Sequence, residues 1–119
     1  MFYKNIKTIE NPNELLVLVN KNNKLDKNYV PNDLEEINVK YSNEGKFLRK
    51  DAKEAFETLS SDASKLGYKV IAVSAYRNYE YQDKLFNYYT EKYGIEYALS
   101  CSAKPGHSDH QTGLAVDVM

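Results

Sequence analysis

"FLRKDAKEAFETLSSDASKLGYKVIAVSA", Phe47 to Ala75, is the stretch on which the fold turns. From Phe47 to Leu66 the apolar residues Leu48, Ala52, Ala55, Phe56, Leu59, Ala63 and Leu66 recur at intervals of three and four. That spacing lines one face of an α-helix. Gly67 follows at once and can take the left-handed conformation that ends a helix. Tyr68–Ala75 is then a β-branched run of strand length. A helix running into a strand is expected here.

Working outward toward the C-terminus, Asn78 is a helix N-cap, and Leu85, Phe86, Tyr89 and Tyr93 make the stripe of a second helix that Gly94 closes. "IEYALS" (95–100) reads as one or two further turns, "KPGHSDHQTG" (104–113) as a loop, and "LAVDV" (114–118) as an alternating strand. Toward the N-terminus, "LLVLV" (15–19) reads as a short buried strand, and the aperiodic stretch 24–46, with Pro31, as an extended loop wrapping the domain. The whole chain reads as one domain, with residues 1–14 a possible irregular extension.

The composition is that of a globular domain, 42% hydrophobic and 28% charged, with a formal net charge of −1. Acidic and basic residues are interleaved, so nothing indicates a nucleic-acid surface or a polybasic membrane anchor. No apolar run reaches the roughly 18 residues of a membrane span, and the N-terminus has no signal-peptide pattern. The single cysteine, Cys101, excludes an intramolecular disulfide and is expected as a small buried apolar residue. The eleven tyrosines, at helical spacing, are expected as amphipathic core, with sugar binding as the alternative.

The chemistry gathers near the C-terminus. In a strand over 114–118, Leu114, Val116 and Val118 face a core, while Ala115 and Asp117 face the other way. His110 lies seven residues before Asp117, across a turn eased by Gly113. Imidazole plus carboxylate is a partial donor set for zinc. An Asp–His hydrogen bond capping a strand fits the same spacing.

Ser108-Asp109-His110-Gln111-Thr112-Gly113-Leu114-Ala115-Val116-Asp117 matches the pattern S-x-H-x-x-G-x-A-x-D. It resembles the zinc motif of the peptidase superfamily that includes lysostaphin and the hedgehog signalling domain, and most closely that of the VanY-type D-alanyl-D-alanine carboxypeptidases. "SAYRNYEYQ" (74–82) resembles that family's second signature, and "LVNKNNKLDKNYVPNDL" (18–34) its N-terminal segment, with Leu25-Asp26 where Leu-Pro is usual.

The resemblance implies an α+β fold: a small, mainly antiparallel sheet with helices packed on it and an open zinc cleft. It implies one zinc ion with His110 and Asp117 as ligands, and Arg77 as the catalytic arginine facing the substrate carbonyl. Ser108 and Gln82 are implied to bind or support the substrate. His107, Tyr76 and Tyr79 are candidates for the pocket edge, with zinc ligation and solvent exposure the alternatives for His107 and core packing for the tyrosines. The implied activity is zinc-dependent removal of the terminal D-Ala from peptidoglycan stem peptides, outside the cytoplasmic membrane. A non-catalytic binding module and a cell-wall endopeptidase are the alternatives. In the resembled family the third ligand and the glutamate base come from a later Glu-x-x-His segment. The chain is therefore expected to be the N-terminal part of the family domain, without its last strand or strands, and inactive alone.

Overall fold

The computed structural model describes residues 3–119. In chain order its elements are β1 (Lys7–Thr8), β2 (Asn23–Lys24), β3 (Leu34–Glu36), β4 (Phe47–Arg49), α1 (Lys50–Lys65), β5 (Ala72–Ser74), α2 (Tyr79–Tyr93), α3 (Ile95–Cys101), a 3-10 turn (Asp109–Thr112) and β6 (Asp117–Val118). The fold is α+β, as expected, but the strands form three two-stranded ladders. β1 pairs with β2 in parallel, while β3 with β4 and β5 with β6 are antiparallel. The chain resolves into two compact units. One combines the segment ending at Val30 with Arg77–Thr112; the other combines Pro31–Tyr76 with Gly113–Met119.

The second of these units is built on the stretch that opened the sequence reading. α1 begins three residues later than the periodicity suggests, because Phe47–Arg49 pairs with β3 as β4. The face that α1 buries carries Phe56 and Ser60, with Ala52 half-buried alongside. Leu59 and Leu66 lie off that face and are 56% and 77% exposed. Phe56 joins Ile37, Leu48, Ala72 and Ala75 in the core, with Val70 and Val116 packed against it. Burying a side chain of that size contributes about 1.5–3 kcal/mol.

Gly67, at φ +87°, ends the helix: its N–H donates to Ser64 O, and that of Tyr68 to Ala63 O. The strand expected over Tyr68–Ala75 shortens to Ala72–Ser74, since a ladder extends only as far as a partner backbone runs beside it. Here the partner is Asp117–Val118, with an irregular register between Ala72 and Ser74.

In the other unit, Asn78 Oδ1 accepts from Tyr81 N–H at 2.7 Å and starts α2 as expected. Such a cap is worth about 1 kcal/mol. Gly94, at φ +94°, closes α2 through its N–H to Thr90 O. The N-terminal segment is stitched to residues 104–111. Leu25 N–H donates to Gly106 O at 2.7 Å, Lys104 N–H to Tyr3 Oη at 3.1 Å, and Gln111 Nε2 to Asp26 O at 3.1 Å and Tyr29 O at 3.3 Å.

Four expectations are corrected. Residues 15–19 form no strand: they follow a turned backbone, with Val17 N–H donating to Glu14 O, and Leu15, Leu16 and Leu18 are exposed. Only Val19 of that run is buried. The segment 24–46 is not all loop, because Leu34–Glu36 finds a partner in β4 and Ile37 enters the core. Cys101 is exposed at the end of α3 rather than buried. Tyr81, Tyr88, Tyr93 and Tyr97 are exposed, because α2 buries a narrow face made by Gln82 and Phe86 and α3 buries only Ala98.

Candidate functional site

Arg77, the residue after the Ala75–Tyr76 step, is held at two points. Its backbone N–H donates to His110 O at 3.0 Å, and its Nη1 donates to Gln82 Oε1 at 3.3 Å. The first bond ties the arginine's backbone to the residue expected to bind metal. The second fixes the guanidinium plane laterally, which a planar fork of donors exploits better than a point charge.

Gln82 lies in the first turn of α2 and is buried. Its Nε2 donates to Ala103 O at 2.8 Å and reaches Ser102 Oγ at 3.4 Å. An amide is well suited to this place: its oxygen faces a guanidinium while its nitrogen faces a carbonyl, so both ends of the buried group are satisfied.

His110 sits in the 3-10 turn, half-buried, with its N–H donating to Ser108 Oγ at 3.2 Å. Ser108 is buried, and its hydroxyl keeps a proton to donate elsewhere. Thr112 Oγ1 donates to Asp109 O and closes the turn. Tyr79 packs against Gly106, where φ is +86° and an added Cβ would lie 2.9 Å from Leu25 O and 3.4 Å from the Tyr79 ring. Only glycine suits that position.

His107 is not solvent-exposed. It is buried, edge-on to the Tyr3 ring at 4.9 Å, with Nδ1 2.8 Å from Asn20 O. A carbonyl only accepts, so Nδ1 carries the proton. Burial pushes the imidazole pKa down, Lys24 and Lys104 push the same way, and the bond to Asn20 opposes them only in part.

Asp117 belongs to the other unit. It lies on β6 opposite Ser74 and is exposed. The alternation expected for 114–118 holds at Val116, which packs on the core, but Val118 is 52% exposed. Gly113, at φ +73°, is required here, since a Cβ would meet Arg49 Cγ at 2.9 Å and Leu34 Cδ2 at 3.1 Å. Tyr76, also in this unit, donates its backbone N–H to Phe47 O and is half-buried.

His110 and Asp117 supply donor types that suit zinc, an imidazole and a carboxylate. Among the described residues, no group of three or more His, Cys, Asp or Glu is placed to hold a metal ion. The donor set therefore fits zinc in kind and is short in number. Sequence reasoning missed the residues that brace the motif: Asn20, Leu25, Asp26 and Tyr29. Three of these act through backbone carbonyls and Leu25 through its N–H, and a hydropathy pattern carries no trace of either.

A peptidase-type α+β domain with an arginine, a buried glutamine and a Ser-x-His turn gathered in one unit defines the class. The chain belongs to the VanY D-alanyl-D-alanine carboxypeptidase family, whose profile matches residues 45–119. It is 42% identical over 117 residues to YodJ of Bacillus subtilis (strain 168), which bears the name of a carboxypeptidase; the match covers 95% of this chain and 43% of YodJ. Among solved structures, the LdcB LD-carboxypeptidase superposes with a TM-score of 0.87 at 41% identity, over 97% of this chain and 56% of that one. A vancomycin-resistance D,D-pentapeptidase VanY, solved with Zn(II), superposes with a TM-score of 0.73 at 28% identity, over 87% of this chain and 60% of that one. The chain thus spans about half the length of these relatives. Among the described residues, no helix is long and apolar enough to cross a membrane.

Proposed function

We propose that the protein is a zinc-dependent carboxypeptidase that removes the terminal D-Ala from peptidoglycan stem peptides at the cell envelope. The observation that carries the reading is the bonded set Arg77–Gln82 and Arg77–His110, beside Ser108, in a member of this family. His110 and Asp117 are the zinc ligands this chain contributes, a pairing that rests on the S-x-H-x-x-G-x-A-x-D motif. Zinc, when bound, supplies a Lewis acid that polarises a carbonyl and makes water more acidic.

The chain's own residues do the rest. Arg77 presents a fork of donors where negative charge develops on the scissile carbonyl oxygen, and so favours the transition state over the ground state. Gln82 is a positioning residue: it fixes the plane of that fork and anchors itself on Ala103. Ser108 keeps a hydroxyl proton to donate to substrate while its oxygen holds the turn that carries His110.

A second reading has a specific observation behind it. The LdcB LD-carboxypeptidase matches over more of this chain, and at higher identity, than the D,D-pentapeptidase does. In that reading the same residues cut the bond one position further along, between an L-centre and D-Ala. Feeding the full gene product a stem pentapeptide and a stem tetrapeptide, and following D-alanine, decides the matter. Release from the pentapeptide, lost in His110→Ala and Asp117→Ala, supports the first reading. Release from the tetrapeptide alone replaces it with the second. Cleavage inside a cross-link makes the protein an endopeptidase, and no cleavage at all leaves a binding module.

A further inference from the structure

Tyr88, Tyr89, Tyr93 and Tyr97 crowd the junction of α2 and α3, at the end of α2 remote from Arg77. Tyr89 stacks with Tyr93 at 6.3 Å between ring centroids, Tyr93 meets Tyr97 at 4.7 Å, and Tyr88 stands edge-on to Tyr89 at 5.5 Å. Lys92 joins them. Its Nζ donates to Tyr88 Oη at 2.9 Å and lies over the Tyr88 and Tyr93 rings at 5.3 Å and 5.5 Å. The rings are fixed by one another, yet Tyr88, Tyr93 and Tyr97 are each exposed over about half of their surface. An aromatic patch held open to solvent, rather than folded into a core, marks a binding surface.

The patch continues the face that serves the site. Tyr89 and Tyr93 follow Gln82 by seven and eleven residues, close to whole numbers of helical turns. The stripe that begins with buried Gln82 and Phe86 therefore emerges from the unit as tyrosine. From Gln82, which bonds Arg77, to Tyr93 is about 16 Å along the helix axis. A pentapeptide, fully extended, spans about 17 Å.

We propose that this tyrosine patch is a glycan platform. It receives a pyranose ring of the sugar chain that bears the stem peptide, while the far end of that peptide lies at Arg77. That a stem peptide is bound at all rests on the function proposed above; the affinity for a sugar rests on the tyrosines. A pyranose has apolar faces of C–H groups and a rim of hydroxyls. Tyrosine offers its negative ring face to the first and its polar tip to the second. The Lys92 ammonium, with one proton on Tyr88, has two more to donate to sugar oxygens. Because the rings are already held by their neighbours, little side-chain freedom is lost on binding.

The test is calorimetric binding to the zinc-loaded full gene product. The probes are a peptidoglycan disaccharide–pentapeptide whose last amide is reduced so that it is not cut, the same peptide without sugar, and the disaccharide alone. The sugar-bearing peptide is expected to bind about tenfold more tightly than the free one. Tyr93→Ala combined with Tyr97→Ala should abolish that preference and leave the Kd of the free peptide unchanged, which also shows that the fold survives. Tyr93→Phe combined with Tyr97→Phe should keep most of it, since the ring faces remain. Independently of any variant, the disaccharide alone should shift the ring-proton NMR signals of Tyr93 and Tyr97. Equal binding of the two peptides by the wild type overturns the proposal, as does a preference that survives both alanines, or a disaccharide that leaves those signals in place. If the two alanines instead turn a dimer into a monomer in sedimentation and the sugar makes no difference, the face belongs to a second copy of the chain and the proposal falls. D-alanine release from the unreduced pentapeptide is scored separately. Release without a sugar preference removes the platform and leaves the peptidase reading standing. Sugar binding without release keeps the platform and removes the reaction.

Discussion

Replacing Gln82 with methionine tests the link between α2 and Arg77. Methionine nearly matches glutamine in volume, so the cavity contribution is small. What disappears is hydrogen bonding. Ala103 O loses a donor at 2.8 Å, and Arg77 Nη1 loses an acceptor at 3.3 Å. A buried polar group left unmet costs about 1–3 kcal/mol. Arg77 and Ala103 are both half-buried, so water replaces part of each loss, and the 3.4 Å contact with Ser102 Oγ is too long to add much. The expected destabilisation is about 1–2 kcal/mol, the shorter bond to Ala103 O contributing the larger share. With a urea m-value of about 1–3 kcal/mol/M, the unfolding midpoint of the chain falls by roughly 1 M.

Gln82→Glu separates the two roles. It keeps an acceptor for Arg77 but removes the donor to Ala103 O, so it should destabilise at least as much. In the full gene product, however, Gln82→Glu should retain more of kcat than Gln82→Met. A Gln82→Met chain within about 0.5 kcal/mol of wild type would refute the reasoning, because the Ala103 carbonyl would then have no need of that amide.

Other outcomes are expected from the same structure. Gly106→Ala should cost about 2–3 kcal/mol in urea unfolding, since it adds positive-φ strain and a 2.9 Å contact with the backbone oxygen of Leu25, whose N–H is bonded to Gly106 O. Arg77→Lys in the full gene product should lower kcat by about 10²-fold with little change in KM; a raised KM instead would assign Arg77 to ground-state binding. The 119-residue chain should retain little zinc through dialysis, as measured by metal analysis, because its described residues offer no group of three donors; tightly held stoichiometric zinc would reveal a further ligand. Stability should fall as pH drops below the ordinary histidine range. The unfolded chain then binds a proton at His107 that the folded chain refuses, the folded pKa being lowered. His107→Gln should flatten that slope in pH-dependent unfolding.

Local signals were legible in the sequence where a single element decides its own shape. Asn78, Gly67 and Gly94 start or stop helices through bonds within a few residues, and all three act as their types suggest. The existence of α1 was legible, but not its start, because β4 takes Phe47–Arg49 only through pairing with β3. Which face α1 buries was also hidden: Ser60 is inside while Leu59 is outside, set by tertiary neighbours rather than by hydropathy. The apolar run 15–19 misled for the converse reason, since β-propensity forms no strand without a partner backbone. Arg77, Gln82, Ser108 and His110 were singled out as candidates through motif resemblance, and the first unit brings them together. The carbonyls of Asn20, Asp26 and Tyr29 were not, because any residue type supplies a carbonyl.

The stitching of the N-terminal segment to residues 104–111 bears on how the chain can be born. Tyr3 and Lys104 are 101 positions apart, and Gln111 reaches back 85 positions to Asp26. Synthesis at about 5–20 residues per second puts roughly 4–20 s between the emergence of the early partners and the late ones. Throughout that interval the bonds that Lys104, Gly106 and Gln111 make to Tyr3, Leu25, Asp26 and Tyr29 remain unmade. Contacts so distant along the chain also slow the search for the native arrangement. The half of the molecule that carries Arg77 and His110 must therefore assemble after synthesis has passed residue 111, and until then its first thirty or so residues are the segment a chaperone or a protease would meet.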